Sequence, residues 1–78
     1  MNVLDLTTKL VLTDNQKITV IDTTTEAWKR YISVERFRFN LDDETLDRLF
    51  HLKVENYYVK AGGIDIYASE KGGGHWDA

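Results

Sequence analysis

Apolar positions along this chain change period several times, and each change marks a new element. Val3, Leu6 and Leu10 recur at helical spacing behind Asn2, a residue suited to an N-cap. Asp5 falls in the first turn, where the helix dipole favours a carboxylate. After the turn-forming run Thr13-Asp14-Asn15-Gln16, the β-branched alternation of Ile18 and Val20 predicts a strand. The polar run Thr23-Thr24-Thr25-Glu26 closes a hairpin into AWKRYI. There Trp28, Arg30 and Ile32 share one face and Ala27, Lys29 and Tyr31 the other, and Trp28 is expected in the core. Ser33 reads as the N-cap of a short helical VERFRF segment with Glu35 in its first turn. Asp42 reads as a second cap, ahead of Leu46 and Leu49 at i, i+3 spacing. Two more strands, near 50–60 and 64–69, meet at Ala61-Gly62-Gly63, with His51 at the start of the first. The order is α-β-β-α-β-β. It predicts an α+β fold in which helices cover one face of a four-stranded antiparallel sheet. Residues 1–70 form the domain and 71–78 a flexible glycine-rich tail.

The third strand contains a phase slip. Phe50, Leu52 and Val54 alternate cleanly, then the pattern resumes one position late at Tyr57 and Val59. A β-bulge at Glu55-Asn56, where two residues oppose one, would turn Leu52, Val54, Tyr57 and Val59 all towards the core. Ile64, Ile66 and Ala68 would join them, leaving Tyr58 outside with Lys53, Lys60, Asp65, Tyr67 and Ser69. With Gly62-Gly63 as the two-residue turn, Tyr58 faces Tyr67 directly, an aromatic cross-strand pair on the uncovered face. In the alternative, Tyr58 is tucked under a loop and no bulge exists. Paired surface tyrosines offer contact area at low entropic cost. The bland reading is a partly buried sheet face without a partner.

Composition narrows the function classes. The 78-residue chain has no cysteine, which removes disulfides, thiolate catalysis and Cys-based zinc sites together, and favours a cytoplasmic setting. No apolar run approaches the roughly 20 residues that span a bilayer, and no signal-peptide pattern opens the chain. The net charge of −3 is uneven: residues 1–39 hold six basic against five acidic side chains, residues 40–78 four against eight. An acidic chain suits a partner with a basic surface better than a phosphate backbone.

Three constellations carry candidate chemistry. Asp42, Asp43, Glu44 and Asp47 are the densest acidic group. They serve either as helix N-terminal carboxylates, as a protein-docking patch, or as a metal site, although the calcium-loop pattern is absent. Lys29, Arg30, Arg36 and Arg38, interleaved with Trp28, Tyr31, Phe37 and Phe39, form either a nucleic-acid strip or the solvated side of a strand and helix. The histidines His51 and His75, and the serines Ser33 and Ser69, stand in no nucleophile or metal setting. Gly72-Gly73-Gly74 lacks the Gly-Lys-Ser/Thr ending of a phosphate loop. No catalysis, cofactor or metal is expected. Trp76 stands out in the tail.

The stretches VLDLTTKLVLTDNQKITVID, RFNLDDETLDRLF and YYVKAGGIDIYAS, with the chain's size, charge and element order, resemble the small acidic proteins of phages and mobile elements. Among these the chain is most similar to small anti-CRISPR proteins. The resemblance spans residues 3–69 and implies non-enzymatic inhibition of a Cas effector in a bacterial host, by occupying its nucleic-acid channel or a protein surface. The site expected from the surface argument comprises Asp42, Asp43, Glu44, Asp47, Glu55, Tyr58, Asp65 and Tyr67. The alternative is a small structural homodimer that pairs its open sheet faces.

Overall fold

The computed structural model describes residues 1–10, 16–35 and 38–71. Helix α1 (Val3–Lys9) is followed by β1 (Lys17–Asp22), β2 (Lys29–Ile32), α2 (Asp43–His51), β3 (Lys53–Lys60) and β4 (Gly63–Ser69). The α+β class and the order of elements are those read from the sequence. The turn at 13–15, the centre of VERFRF and the tail beyond Lys71, with His75 and Trp76, lie outside the described residues.

Both helices start where short polar side chains satisfy free backbone donors. At α1 the cap is reciprocal: the Asp5 N–H donates to Asn2 Oδ1 at 2.7 Å and the Asn2 N–H donates to Asp5 Oδ2 at 3.1 Å. At α2 the Thr45 N–H donates to Asp42 Oδ2 at 3.3 Å. His51 is in the last turn of α2 rather than at a strand start, and its Nδ1 lies 3.5 Å from Asp47 Oδ1.

The sheet is mixed, which corrects the all-antiparallel expectation. Its order is β2-β1-β4-β3, with antiparallel hairpins outside and β1 parallel to β4 in the middle. Burial explains the arrangement. Ile18 to Asp22 of β1 are all buried, and β4 is nearly so, whereas β2 and β3 are largely exposed. Placing β1 and β4 side by side buries the two most apolar strands and leaves the polar ones as edges. Ile18, Val20, Ile64, Ile66 and Ala68 form the covered face. Val3 and Leu6 of α1, Leu49 of α2, Leu52 and Phe39 close over it.

The bulge is present. Val54 pairs with Ala68 and Asn56 with Tyr67, so Glu55 is the extra residue. It turns Val54, Tyr57 and Val59 to the helical side as expected. Tyr57 and Val59, however, are not core residues, because β3 is an edge beyond the helices' cover and both side chains are exposed. The hairpin turn is Ala61-Gly62 rather than Gly62-Gly63, since Lys60 pairs with Gly63. Tyr58 therefore opposes Asp65, not Tyr67.

Ser33 is not a helix cap. Its hydroxyl Oγ accepts from the Ile18 N–H at 2.8 Å, and its own N–H donates to Ile18 O at 2.9 Å, which extends the β1–β2 ladder by one buried pair. Beyond it Glu35 and Arg38 form a short antiparallel bridge.

Candidate functional site

The side of the sheet away from the helices is the candidate surface. Alternation places Thr19 and Ile21 of β1, Arg30 and Ile32 of β2, Asp65 and Tyr67 of β4, and Asn56, Tyr58 and Lys60 of β3 on this side, with Trp28 just before β2. Its centre is closed: Ile21, whose register neighbours are Arg30 and Tyr67, is 2% exposed. Its flanks are not. Trp28 is 42% exposed, Tyr58 55% and Ile32 56%.

Three rings form an oblique row across this face. Trp28 and Tyr67 meet edge to face with centroids 6.0 Å apart, and Tyr67 and Tyr58 do the same at 5.7 Å. The Tyr58–Tyr67 contact is diagonal, the reach that aromatic side chains have towards the j±2 neighbour. Trp28 leads into β2 and Tyr67 is on β4, with β1 between those strands, so their contact passes over it. The core placement of Trp28 is thereby corrected. It shares a face with Arg30 and Ile32, as alternation requires, but that face is the open one, and Tyr31 packs on the core instead.

The polar groups around the row are already engaged. Lys60 Nζ lies 2.8 Å from Asp65 Oδ1. Tyr58 OH accepts from Asn56 Nδ2 at 2.9 Å. The bulge residue Glu55 reaches across to the residue after β1, where its Oε1 accepts from the Thr23 hydroxyl, while its Oε2 is buried with no hydrogen-bond partner among the described residues. Glu55 is thus half-buried and ties β3 to β1, rather than standing free for a partner.

The other expected residues lie elsewhere. Asp42, Asp43, Glu44 and Asp47 belong to α2, whose Leu49 packs on the opposite side of the sheet. The structure brings Tyr58, Tyr67 and Asp65 together and separates them from the helical acids. Asp42 is occupied as the cap, and the hydrogen bonds from Thr45 hold its carboxyl below the usual value. The basic strip is divided as well. Arg30 is on the open face, Lys29 on the other, Arg38 in the bridge after β2, and Phe39 in the core, with Arg36 and Phe37 outside the described residues. Among the described residues no three His, Cys, Asp or Glu side chains gather as a metal ion would need, and no helix is long and apolar enough to cross a membrane.

One ionic cluster has a structural role. Arg48 of α2 binds Asp22 Oδ2 through Nη1 at 2.9 Å, and Glu70 Oε1 through Nη2 and Nε at 2.9 and 3.1 Å. Asp22 Oδ1 accepts from the Thr24 hydroxyl at 2.6 Å and the Thr24 N–H at 3.0 Å. Burial alone would raise the Asp22 pKa. The Thr24 bonds and then Arg48 outweigh it, and the carboxyl sits below its usual value. The cluster clamps α2 to the ends of β1 and β4.

Sequence reasoning missed Trp28 and Ile32 as surface residues. The signal that could have found them was Arg30, which shares their face and does not suit a core. It also missed an apolar groove lined by Leu4, Thr7, Thr8, Leu10 and Phe50 between the two helices. No protein-family model, curated protein or solved structure matches this chain.

Proposed function

We propose that this is a non-catalytic protein-binding domain that docks through the open face of its sheet, with Trp28, Tyr58 and Tyr67 as the central anchors and Ile32 beside them. The observation that carries the reading is the edge-to-face row of three rings on the side that no described helix covers, with Trp28 and Tyr58 exposed and Tyr67 partly buried between them. Tryptophan and tyrosine dominate the energetics of protein interfaces because they bury large areas while losing few rotamers. The ion pair of Lys60 with Asp65 places a neutralised charge pair next to the rings, suited to an interface rim. The acids of α2 face away and are not part of this docking surface.

In its sharpest form the domain is an inhibitor from a phage or mobile element that binds a Cas effector, as the anti-CRISPR resemblance implies. The test is capture of proteins from a bacterial lysate that contains Cas effectors, followed by a DNA-cleavage assay of any effector retained. Retention of an effector, with cleavage lost on adding the domain and restored by the Trp28→Ala/Tyr58→Ala variant, supports the inhibitor. Unimpaired cleavage at saturating domain refutes it.

A further inference from the structure

We infer that the outer edge of β3 is a self-pairing surface, and that two copies of this chain join there, antiparallel, into a continuous eight-stranded sheet. The inference does not depend on what the open face binds. β3 is one of the two sheet edges, and an unpaired edge is a template for another strand. Only its first part is occupied: the Val54 N–H donates to Met1 O at 2.9 Å, and Asn2 forms a bridge with Lys53. From Asn56 to Lys60 nothing among the described residues pairs with the outer side. This free run carries exposed apolar side chains on both faces at once, with Tyr57 and Val59 44% and 74% exposed on the helical side and Tyr58 on the other.

The hydrogen-bond phase selects one register. The two-residue loop Ala61-Gly62 closes on the pair Lys60–Gly63, and the Gly62 carbonyl accepts from the Lys17 N–H of β1, so alternation turns the backbone groups of Gly63 towards Lys60 as a hydrogen-bonded closing pair. Alternation then directs the N–H and C=O of Tyr57 and Val59 outwards. A second copy related by a two-fold axis at Tyr58 sets Tyr57 against Val59 of that copy, a hydrogen-bonded pair, and Asn56 against its Lys60. Tyr58 meets its own counterpart in a non-hydrogen-bonded pair. Both faces then match: tyrosine covers valine twice on the helical side, and two tyrosines adjoin on the other. The free run is its own complement in length too, since Asn56 to Lys60 maps onto itself and ends where Met1 begins to occupy the edge. Lys60 does not oppose the pairing, because Asp65 of its own chain neutralises it and it faces Asn56 rather than another lysine. The aromatic row becomes continuous across the two copies.

The test uses the whole chain, which contains no cysteine. Sedimentation equilibrium over a concentration series is expected to show twice the 9.1 kDa chain mass. Val59→Pro should keep the fold, since proline is tolerated on an edge where the N–H faces outwards, and should lose the dimer because that N–H is a ladder donor. Tyr58→Cys should form a disulfide-linked dimer rapidly on mild oxidation. Facing non-hydrogen-bonded residues have Cα atoms about 4.5 Å apart, within the disulfide range of roughly 4.4–6.8 Å. Asp43→Cys, on α2, should not. A monomer at every concentration overturns the inference. So does a dimer that survives Val59→Pro, or one in which Tyr58→Cys does not cross-link. Should Val59→Pro fail to fold, the cross-link decides.

Discussion

Gly62 and Gly63 are neighbours in sequence, yet the structure predicts opposite responses to the same substitution. Gly62 has open space where a Cβ would be, and its φ is not positive. Gly63 has φ +148°, and a Cβ built there would lie 1.9 Å from the carbonyl oxygen of Lys17 and 2.8 Å from its backbone C and N. The clashing atoms are backbone of the parallel neighbour β1, paired with Gly63 and further held by the Lys17 N–H bond to Gly62 O at 3.1 Å. They cannot swing aside as a side chain would. Gly63→Ala must strain a backbone position that L residues avoid, at about 1–3 kcal/mol. It must also separate the start of β1 from β4, at about 1–3 kcal/mol for overpacking. The sum is about 2–6 kcal/mol, a large part of a small domain's stability. For a chain of this size about 4–8 °C of Tm corresponds to each kcal/mol, so the melt should fall by at least about 8 °C. Gly62→Ala should be neutral or stabilise by up to about 1 kcal/mol through the unfolded chain. Urea denaturation and thermal melts of both variants check this. Equal effects at the two positions, or a Gly63→Ala melt within about 2 °C of the parent, would refute the β1–β4 parallel pairing at this point.

Ser33→Ala removes the acceptor of the buried Ile18 N–H and should cost about 1–3 kcal/mol in denaturant titration. Ile66→Ala, at a fully buried site, should cost about 2–5 kcal/mol, whereas Trp28→Ala on the open face should cost about 1 kcal/mol or less; thermal melts of the two compare them directly. The Asp22 carboxyl has its folded pKa lowered, so its stabilising contribution is complete above the unfolded value near 3.8 and is lost as pH falls through the lower folded value. Urea titrations of the parent and Asp22→Asn should therefore differ most at neutral pH and converge in acid.

Most local chemistry was legible in the sequence, the supposed helix cap at Ser33 excepted, and long-range placement was not. The cap at Asn2 with Asp5 in the first turn, the cap at Asp42 and the bulge at Glu55-Asn56 all announce themselves within a few residues, whereas the reciprocal bond of Asp5 back to Asn2 emerged only in the structure. The parallel contact of β1 with β4 joins segments more than forty residues apart, and no short pattern encodes it. Alternation correctly put Trp28 with Arg30 and Ile32, but it cannot say which of two faces the helices will cover. Size and hydrophobicity favoured Trp28 for the core, while the charge of Arg30 on the same face pointed the other way. The turn was misplaced by one residue because two glycines look alike in sequence. Only the approach of Lys17 distinguishes Gly63, and that approach is tertiary. The same limit divided the expected site: the acids of α2 and the tyrosines of β3 and β4 are close in the chain but lie on opposite sides of the sheet.

The central claim is that the open aromatic face is the docking surface. It is tested most directly by calorimetric titration of a captured protein partner against four chains: the parent, Trp28→Ala, Tyr58→Ala, and the charge reversal Asp43→Lys/Glu44→Lys. The account predicts that each aromatic variant, with its fold intact, weakens binding tenfold or more, a loss of about 1.4 kcal/mol or greater, while the charge reversal on the far side changes affinity less than about threefold. Full affinity in both aromatic variants, with binding lost in the charge reversal, would contradict it and place the contact on α2.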